Sequence, residues 1–305
     1  MCGAAYTSAL LAVLASPDAR APDTTDSDAH LLEATEQGIT LWRPEVVLDG
    51  SLLVVEVAAE GCEPSLKWGG HRFETYPVGL HRQALLPVGL GVRGDRPLQV
   101  TCGDREAAFA IPVSEGTYPE SKLSVDPRFT RKPPRRVVSE RAAIKAALAV
   151  RTAGRLWAGA FLRPAGGVET SPFGVRRTFN GKLDSRHRGL DLDGKVGDDV
   201  TAANDGVVVL AAPDFYYTGN AVFIDHGDEL FSMYFHLSRL DVKSGDRVER
   251  GQVIGAVGNT GRVTGPHLHF AVKLAGVYVD PKGLFAYQPD LLLSQASAVQ
   301  EAVVR

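Results

Sequence analysis

The chain has 305 residues, of which 44% are hydrophobic and 23% charged, as in a soluble globular protein long enough for two domains. Its net charge of −3 gives no basic footprint, so we expect no nucleic-acid partner. The 32 glycines and 18 prolines predict frequent turns and favour a mainly β fold over a helical bundle. No apolar run is long enough to span a bilayer.

The N-terminus carries part of a secretion signal. Residues 1–21 contain a short apolar stretch at 9–15, and Ala19, Arg20 and Ala21 follow with the small-x-small pattern of a signal-peptidase site. The usual basic start is missing, because Arg20 is the first cation. We predict a signal segment and a periplasmic or secreted protein. The alternative is the disordered or helical N-terminus of a cytoplasmic protein.

The next part of the chain predicts a small domain and a connector. Residues 22–37 form a polar linker, and the short alternating apolar runs of 38–113 predict a β-sandwich-like domain. Residues 114–160 predict a Pro-rich, basic surface connector and a linker helix that begins with Ser139 as N-cap and ends near Gly154.

Two cysteines, Cys62 and Cys102, lie within the predicted front domain. In an oxidising compartment they could form a disulfide, and in a reducing one both would stay free thiols. Neither cysteine has a sequence context that indicates catalysis.

Residues 161–290 return to short strands separated by Gly, Asp and Asn, which predicts a compact antiparallel β domain. Residues 291–305 form a tail that could be a short amphipathic helix. Five of the eight histidines fall in the 161–290 region.

In "GPHLHF", side chains two apart on a strand share a face, so His267 and His269 point together while Leu268 and Phe270 point into a core. Chance is the simple explanation for such a pair, and a metal site is the specific one.

A second pair, His187 and Asp191, stands four residues apart across Gly189 in "SRHRGLDLDG". The glycine would let the backbone bring the two side chains together. Alone this spacing is weak, because a solvated turn with an ordinary His–Asp contact also has it.

The run "LFSMYFHL" alternates and predicts a strand with one core face and one polar face. The predicted core residues are Phe231, Met233, Phe235 and Leu237, and the predicted polar face holds Ser232, Tyr234 and His236.

Taken together, the motifs of residues 168–285, above all "SRHRGLDLDG", "YFHL" and "GPHLHF", resemble the M23 family of zinc metallopeptidases. This is the lysostaphin- and LytM-like group, which cuts peptide cross-links in bacterial cell walls. The resemblance implies a barrel- or sandwich-related β catalytic domain. It also implies one Zn²⁺ held by His187, Asp191 and His269, with His236 and His267 as the catalytic pair. The preceding β domain and helix resemble, more loosely, the N-terminal region of a Gram-negative-type branch.

These roles make chemical sense. Zn²⁺ lowers the pKa of its bound water to about 7 and polarises a carbonyl. One imidazole can then accept the water's proton while the other donates a hydrogen bond to the developing oxyanion. The implied substrate is a peptidoglycan stem-peptide cross-link, either D-Ala–diaminopimelate or a glycine bridge. The sequence does not divide the roles between the two histidines.

The sequence departs from the resemblance at one point. Some members carry a tyrosine shortly before the first zinc ligand, and "FNGKLDSRH" has none, which leaves Tyr234 or a histidine as the substitute. For His226 in "IDHG" we expect a turn-stabilising role, since the ligand set is already complete.

Two other functions remain open. The chain could be a non-catalytic relative that binds cell wall or activates an amidase, or one whose groove the front domain covers. It could also be a biotinyl- or lipoyl-type carrier, because "VKSGDRVERGQVIGAV" resembles the hairpin of those modules, although no lysine stands at its tip.

Overall fold

The computed structural model describes residues 31–130, 132–181 and 183–293. The predicted signal segment 1–21 and most of the predicted tail 291–305 therefore lie outside the described residues. Within the described ranges, no helix has the length and apolar character needed to cross a membrane.

The first half of the chain forms two five-stranded sheets, which we call the front sheets. Their strands are β1 (Leu31–Glu36), β2 (Ile39–Pro44), β3 (Val47–Leu48), β4 (Leu52–Ala59), β5 (Ser65–Trp68), β6 (His71–Phe73), β7 (Tyr76–Val78), β8 (His81–Pro87), β9 (Gly94–Cys102) and β10 (Arg105–Ser114). One sheet has the order β1-β2-β4-β8-β7 and the other β3-β10-β9-β5-β6. Neighbouring strands are antiparallel except in the pair β3–β10.

Strict alternation explains why these strands form. In β10 every second residue is buried, including Phe109 and Ile111, and the residues between them are exposed. These side chains belong to the same core as Val55 and Val57 of the other front sheet. Each sheet thus covers the apolar face of the other.

Strand β1 corrects the predicted polar linker 22–37, because a strand begins at Leu31. Residues Gln37 and Gly38, with φ of +51° and +69°, form the tight turn to β2. Nearly all of β1 is exposed at the sheet edge. An edge strand with few buried residues lacks the apolar alternation by which sequence analysis recognises strands.

The predicted connector 114–160 contains more regular structure than expected: β11 (Glu120–Leu123), a 3-10 helix (Pro127–Thr130) and helix α1 (Arg136–Ala147). Strand β11 runs parallel to a later strand, Arg176–Phe179. Its backbone is therefore paired far along the chain, and no local pattern shows this.

The predicted bounds of the linker helix were wrong at both ends. Helix α1 begins at Arg136, and Ser139 lies inside it with its hydroxyl donating to the Arg136 carbonyl at 2.8 Å. The first turn already starts at Pro134, whose carbonyl accepts the Val137 N–H at 3.1 Å. Pro134 precedes the N-cap residue Arg135, where its ring removes no N–H that the helix needs.

The second half of the chain adds three sheets. Their strands are β12 (Glu169–Ser171), β13 (Arg176–Phe179), β14 (Leu183–Arg186), β15 (Leu190–Asp193), β16 (Asp199–Thr201), β17 (Gly206–Phe215), β18 (Gly219–Asp225), β19 (Leu230–Leu237), β20 (Arg239–Leu240), β21 (Arg247–Val248), β22 (Val253–Ala256), β23 (His267–Leu274) and β24 (Val277–Val279), followed by helix α2 (Pro281–Ala286). The central sheet has the order β12-β15-β23-β19-β18-β17-β21, with β24 beside β23. Smaller sheets have the orders β11-β13-β14 and β16-β22-β20. The prediction of a mainly β fold is confirmed.

The central sheet is buried on both faces, which corrects the predicted polar face of β19. Tyr234 is fully buried, with its ring 5.2 Å from that of Phe270. The opposite face, with Met233, packs against residues of α1 such as Ile144. Leu268 is fully buried, as predicted.

The front sheets pack directly against the central sheet. The Tyr76 hydroxyl donates to Asp228 at 2.6 Å, and Trp157 makes an edge contact with the Tyr76 ring at 5.8 Å. Gln83 of β8 donates to the carbonyl of Leu291 at 2.7 Å. One hydrophobic core continues through both halves of the chain. The division into domains at 38–113 and 161–290 stays a prediction.

Cys62 and Cys102 form a disulfide, which joins positions 40 residues apart within the front sheets. Closing a loop of this length restricts the unfolded chain and stabilises the fold by about 4 kcal/mol in the chain-entropy model.

We expect Cys62→Ala/Cys102→Ala to lower the free energy of unfolding in urea by about 3–4 kcal/mol. An unchanged urea midpoint in the double variant would show that the bridge does not stabilise the fold.

Candidate metal centre

The register of three strands of the central sheet builds the floor of the site. Asp191 of β15 stands opposite His269 of β23, and His269 stands opposite Phe235 of β19. Residues directly opposite one another in antiparallel strands share a face, so these three side chains lie in a row. The Phe235 ring stacks on the His269 ring, with the ring centres 5.2 Å apart and the planes at 10° to each other.

His187 reaches this row from the loop after β14. Its N–H donates to the Val175 carbonyl and its carbonyl accepts from the Gly174 N–H, both at 2.8 Å. Its side-chain Nδ1 donates to the Pro172 carbonyl at 2.7 Å. With Nδ1 carrying the proton, Nε2 presents its lone pair to the site.

Three donor atoms converge at one point. His187 Nε2, His269 Nδ1 and Asp191 Oδ1 are each 2.9 Å from the other two. Two imidazole nitrogens and one carboxylate oxygen, all largely buried, form a group that could hold a metal ion. Nitrogen and oxygen donors in this number are those of a catalytic zinc site with three protein ligands.

The electrostatics favour the metal-binding protonation state. Burial acts to raise the pKa of Asp191, but the close contacts with His187 and His269 outweigh it and hold the pKa far below its usual range. Burial lowers the pKa of His269 to about 4, although Asp191 opposes the shift. At neutral pH the site therefore holds a carboxylate and an uncharged His269.

Gly189 makes room for this arrangement. A Cβ at this position would lie 2.4 Å from the Phe270 carbonyl oxygen and 2.7 Å from His269 Nε2. Gly189 is needed for close approach and not for a left-handed turn. Sequence analysis identified the residue and predicted only that it brings His187 and Asp191 together.

His236 joins the site through an unusual backbone conformation. Strict alternation would place it on the Tyr234 face, away from His269. Its φ of +68° turns the side chain, and its ring lies 4.9 Å from His267 and 6.1 Å from His269. The prediction that His236 joins the other histidines is met, but the predicted reason, a shared polar strand face, was wrong. A positive φ in a residue other than glycine costs roughly 1 kcal/mol or more and is often found at functional sites.

Backbone carbonyls orient both remaining imidazoles. His236 Nδ1 donates to Thr260 O at 2.9 Å, and His267 Nδ1 donates to Gly265 O at 2.8 Å. His267 Nε2 lies 3.8 Å from Asp191 Oδ1, beside the three donor atoms. Burial, with repulsion from His267 and His269, lowers the pKa of His236 well below its ordinary value.

Arg177 is part of the site, and sequence analysis missed it. From β13 its guanidinium Nη2 donates to Asp191 Oδ2 and to Ser171 Oγ, the latter at 2.7 Å. This contact occupies one carboxylate oxygen and leaves Oδ1 for the two histidines. The only signal was an arginine in a short strand, which is far more often a solvated residue.

Tyr234 does not compensate for the missing tyrosine. Its hydroxyl accepts the Ala203 N–H at 2.8 Å inside the core, so this candidate substitute was wrong. His226 is fully buried, with Nδ1 donating to Asp205 O at 2.7 Å and Nε2 2.7 Å from Ser232 Oγ. Burial lowers its pKa to about 4, and its contacts are the structural ones predicted for it.

Residues 185–281 match the sequence profile of Peptidase family M23. This segment is an M23 peptidase domain. The chain is 42% identical over 110 residues to the peptidoglycan DD-endopeptidase ShyC of Vibrio cholerae, covering 36% of this chain and 25% of that protein. It is 48% identical over 90 residues to the DD-endopeptidase ShyA of the same organism, covering 30% of this chain and 21% of that protein.

The chain thus aligns with only a quarter or less of the length of these two relatives. A crystal structure from Pseudomonas aeruginosa named for peptidase M23 extends the likeness beyond the M23 domain. It superposes with a TM-score of 0.61 at 28% identity, covering 78% of this chain and 94% of that chain. The shared architecture therefore includes structure outside residues 185–281.

We expect Gly189→Ala to disturb the M23 domain's site without unfolding the protein. The new methyl group must displace His269 or the β23 backbone, so Zn²⁺ affinity should fall by about 10-fold or more. Competition with a chromogenic chelator measures this. Gly166→Ala is the control, because a Cβ there meets nothing within 4 Å. Equal zinc affinity in both variants would contradict the packing argument.

Arg177→Gln tests the carboxylate contact. Without the guanidinium, Asp191 loses its orientation, and Zn²⁺ affinity should fall about 10- to 100-fold. Arg176→Gln is the matched control, since the neighbouring Arg176 is exposed and pairs with Glu120 at 3.5 Å. If the two variants bind zinc equally well in the same competition assay, Arg177 does not position the carboxylate.

Proposed function

We propose that the protein is a zinc-dependent endopeptidase that hydrolyses peptide cross-links of bacterial peptidoglycan. The observation that carries this proposal is the convergence of His187, Asp191 and His269 on one point, with His236 and His267 beside it. All five residues lie within residues 185–281, the segment that matches Peptidase family M23.

The donor set supports one zinc ion as the cofactor. Two imidazole nitrogens with their lone pairs 2.9 Å apart repel each other unless a proton or cation lies between them. A bound Zn²⁺ would supply Lewis acidity toward the scissile carbonyl and a water acidified to near neutral pH. His187, Asp191 and His269 would hold it, as predicted.

The two other histidines supply proton transfer and charge stabilisation. Because each donates its Nδ1 proton to a carbonyl, the Nε2 nitrogens of His236 and His267 are free for the reaction. An uncharged imidazole accepts a proton from the attacking water, and the imidazolium so formed can donate to the leaving amine. The second imidazole would have to carry a proton on Nε2 as well, and as an imidazolium it donates a hydrogen bond to the oxyanion that develops on the carbonyl.

Peptidoglycan as substrate rests on the relatives, which are named peptidoglycan DD-endopeptidases. Periplasmic or secreted localisation is part of the proposal. The Cys62–Cys102 disulfide supports it, because such bridges persist in oxidising compartments. The predicted signal segment 1–21 points the same way.

The alternative function is that of a non-catalytic regulator, and the geometry of the site does not favour it. All five predicted residues are present and placed together. Among the described residues, the hydrogen bonds and ring contacts of the five side chains come from residues 171–269, and none comes from the front sheets.

We expect His187→Ala to remove zinc and activity together, because it deletes a ligand. His236→Ala should keep about one zinc per chain and lose turnover by a factor of at least about 100, because it deletes only a proton-transfer group. Zinc content by atomic absorption and release of soluble muropeptides from sacculi are the measurements. His71→Ala, an exposed histidine of β6, is the control.

Removal of the metal by a chelator should abolish muropeptide release from the wild-type protein, and added Zn²⁺ should restore it. Sacculus cleavage that persists in either active-site variant at the wild-type rate would overturn the assignment of that residue.

A further inference from the structure

Arg262 is a half-buried cation without an acidic partner. Its guanidinium lies between two aromatic rings, 4.4 Å from the centre of Phe179 and 5.0 Å from that of Tyr217. Within the described part of the chain, no carboxylate forms an ion pair with it. The half-buried Arg177, by contrast, pairs with Asp191.

This environment holds the guanidinium without neutralising it. Two ring faces stabilise a cation by about 0.5–2 kcal/mol each and fix its plane, but they leave its edge N–H groups unbonded. Burial and the charge of Arg177 lower the pKa of Arg262 from its ordinary value, although Tyr217 opposes them. A fixed, unpaired guanidinium of this kind has donors ready for an anionic ligand.

Two backbone segments, residues 217–218 and 260–262, contact His236 and also hold Arg262. Thr218 O accepts the His236 N–H at 2.8 Å, and the adjacent Tyr217 O accepts the Arg262 N–H at 2.9 Å. On the other segment, Thr260 O accepts from His236 Nδ1, two residues before Arg262. Arg262 is therefore tied to the catalytic edge of the candidate site.

Strand β13 connects Arg262 to the metal centre on the other side. Arg177 and Phe179 are two residues apart on this strand and so share a face. Arg177 contacts Asp191, and Phe179 contacts Arg262. Arg177 and Arg262 thus lie along the same side of the candidate metal site.

We propose that Arg262 binds a substrate carboxylate next to the scissile bond and so selects cross-links that carry one. This inference rests on the proposed peptidase function. In a D-Ala–diaminopimelate cross-link, the carbon that bears the leaving amine also bears a free carboxylate. A glycine bridge has no such group at that position. Of the two possible cross-links, the proposal therefore favours the D-Ala–diaminopimelate bond over a glycine bridge.

The experiment compares two substrates that differ in one charge. They are a purified muropeptide dimer joined by D-Ala–diaminopimelate, and the same dimer with the carboxylate beside the cross-link amidated. The zinc-loaded wild type, Arg262→Gln, Arg262→Lys and Arg96→Gln are each assayed on both. Arg96 is an exposed residue of β9 and controls for the loss of one positive charge.

We expect the wild type and Arg96→Gln to prefer the free carboxylate by about 10-fold or more in kcat/KM, the size of one charge-assisted contact. Arg262→Gln should lose about 10- to 100-fold on that substrate, mainly through KM, and show no preference between the two. Arg262→Lys should recover part of the preference, because it keeps the charge but not the planar fork.

Equal losses on both dimers in Arg262→Gln, or a wild type that does not discriminate between them, would overturn the proposal. Binding of the two dimers to zinc-loaded His236→Ala gives a second readout without turnover. A wild type that cleaves neither dimer would refute the peptidase function itself. In that case, equal binding of the two dimers to His236→Ala would refute the carboxylate site. Tighter binding of the free-acid dimer to His236→Ala, lost when Arg262→Gln is added to that variant, would support it.

Discussion

The site depends first on the register of β15, β23 and β19. Asp191, His269 and Phe235 stand opposite one another across three antiparallel strands, so the sheet ladder itself places a carboxylate beside an imidazole and a ring behind it. A slip of one residue in β23 would turn His269 into the core and bring Leu268 or Phe270 to the site. The buried core therefore protects the site, because any such slip would expose fully buried apolar side chains. Of the three residues that could hold the metal, His187 is the one supplied from outside these strands.

Hydrogen bonds to backbone carbonyls set the tautomers of the imidazoles. Three of them donate Nδ1–H to a backbone carbonyl, which fixes the ring plane and leaves Nε2 unprotonated. The pairs are His187 with Pro172, His236 with Thr260, and His267 with Gly265. Each carbonyl belongs to a residue outside the strands. The tautomers that metal binding and proton transfer require are therefore built into the apoprotein fold.

The sequence allowed prediction of those features that depend on local period or motif. The two-residue spacing of His267 and His269 implied a shared face, and that part of the reasoning held. His236 was grouped with them on the basis of alternation, whereas a left-handed backbone conformation brings it there. That conformation is set by contacts with Thr218 and Thr260, which are remote in the chain. Arg177 and β1 were missed for a related reason: an edge strand and a single arginine gain their meaning only from partners that tertiary structure supplies.

The segment that matches the M23 family does not include every residue that orients the candidate site. The match begins at residue 185, yet the Pro172 carbonyl that orients His187 and the guanidinium of Arg177 both precede it. The segment that contains Pro172 is in turn supported from the front. The ring of Tyr118 packs so closely on Gly174 that a Cβ there would lie 2.1 Å away, and the Tyr118 hydroxyl donates to the Asp49 carbonyl. Because Gly174 bonds the His187 backbone, the orientation of the first proposed zinc ligand depends on contacts that reach the front sheets. The front sheets thus form part of the scaffold that holds the site, in addition to any binding surface they provide.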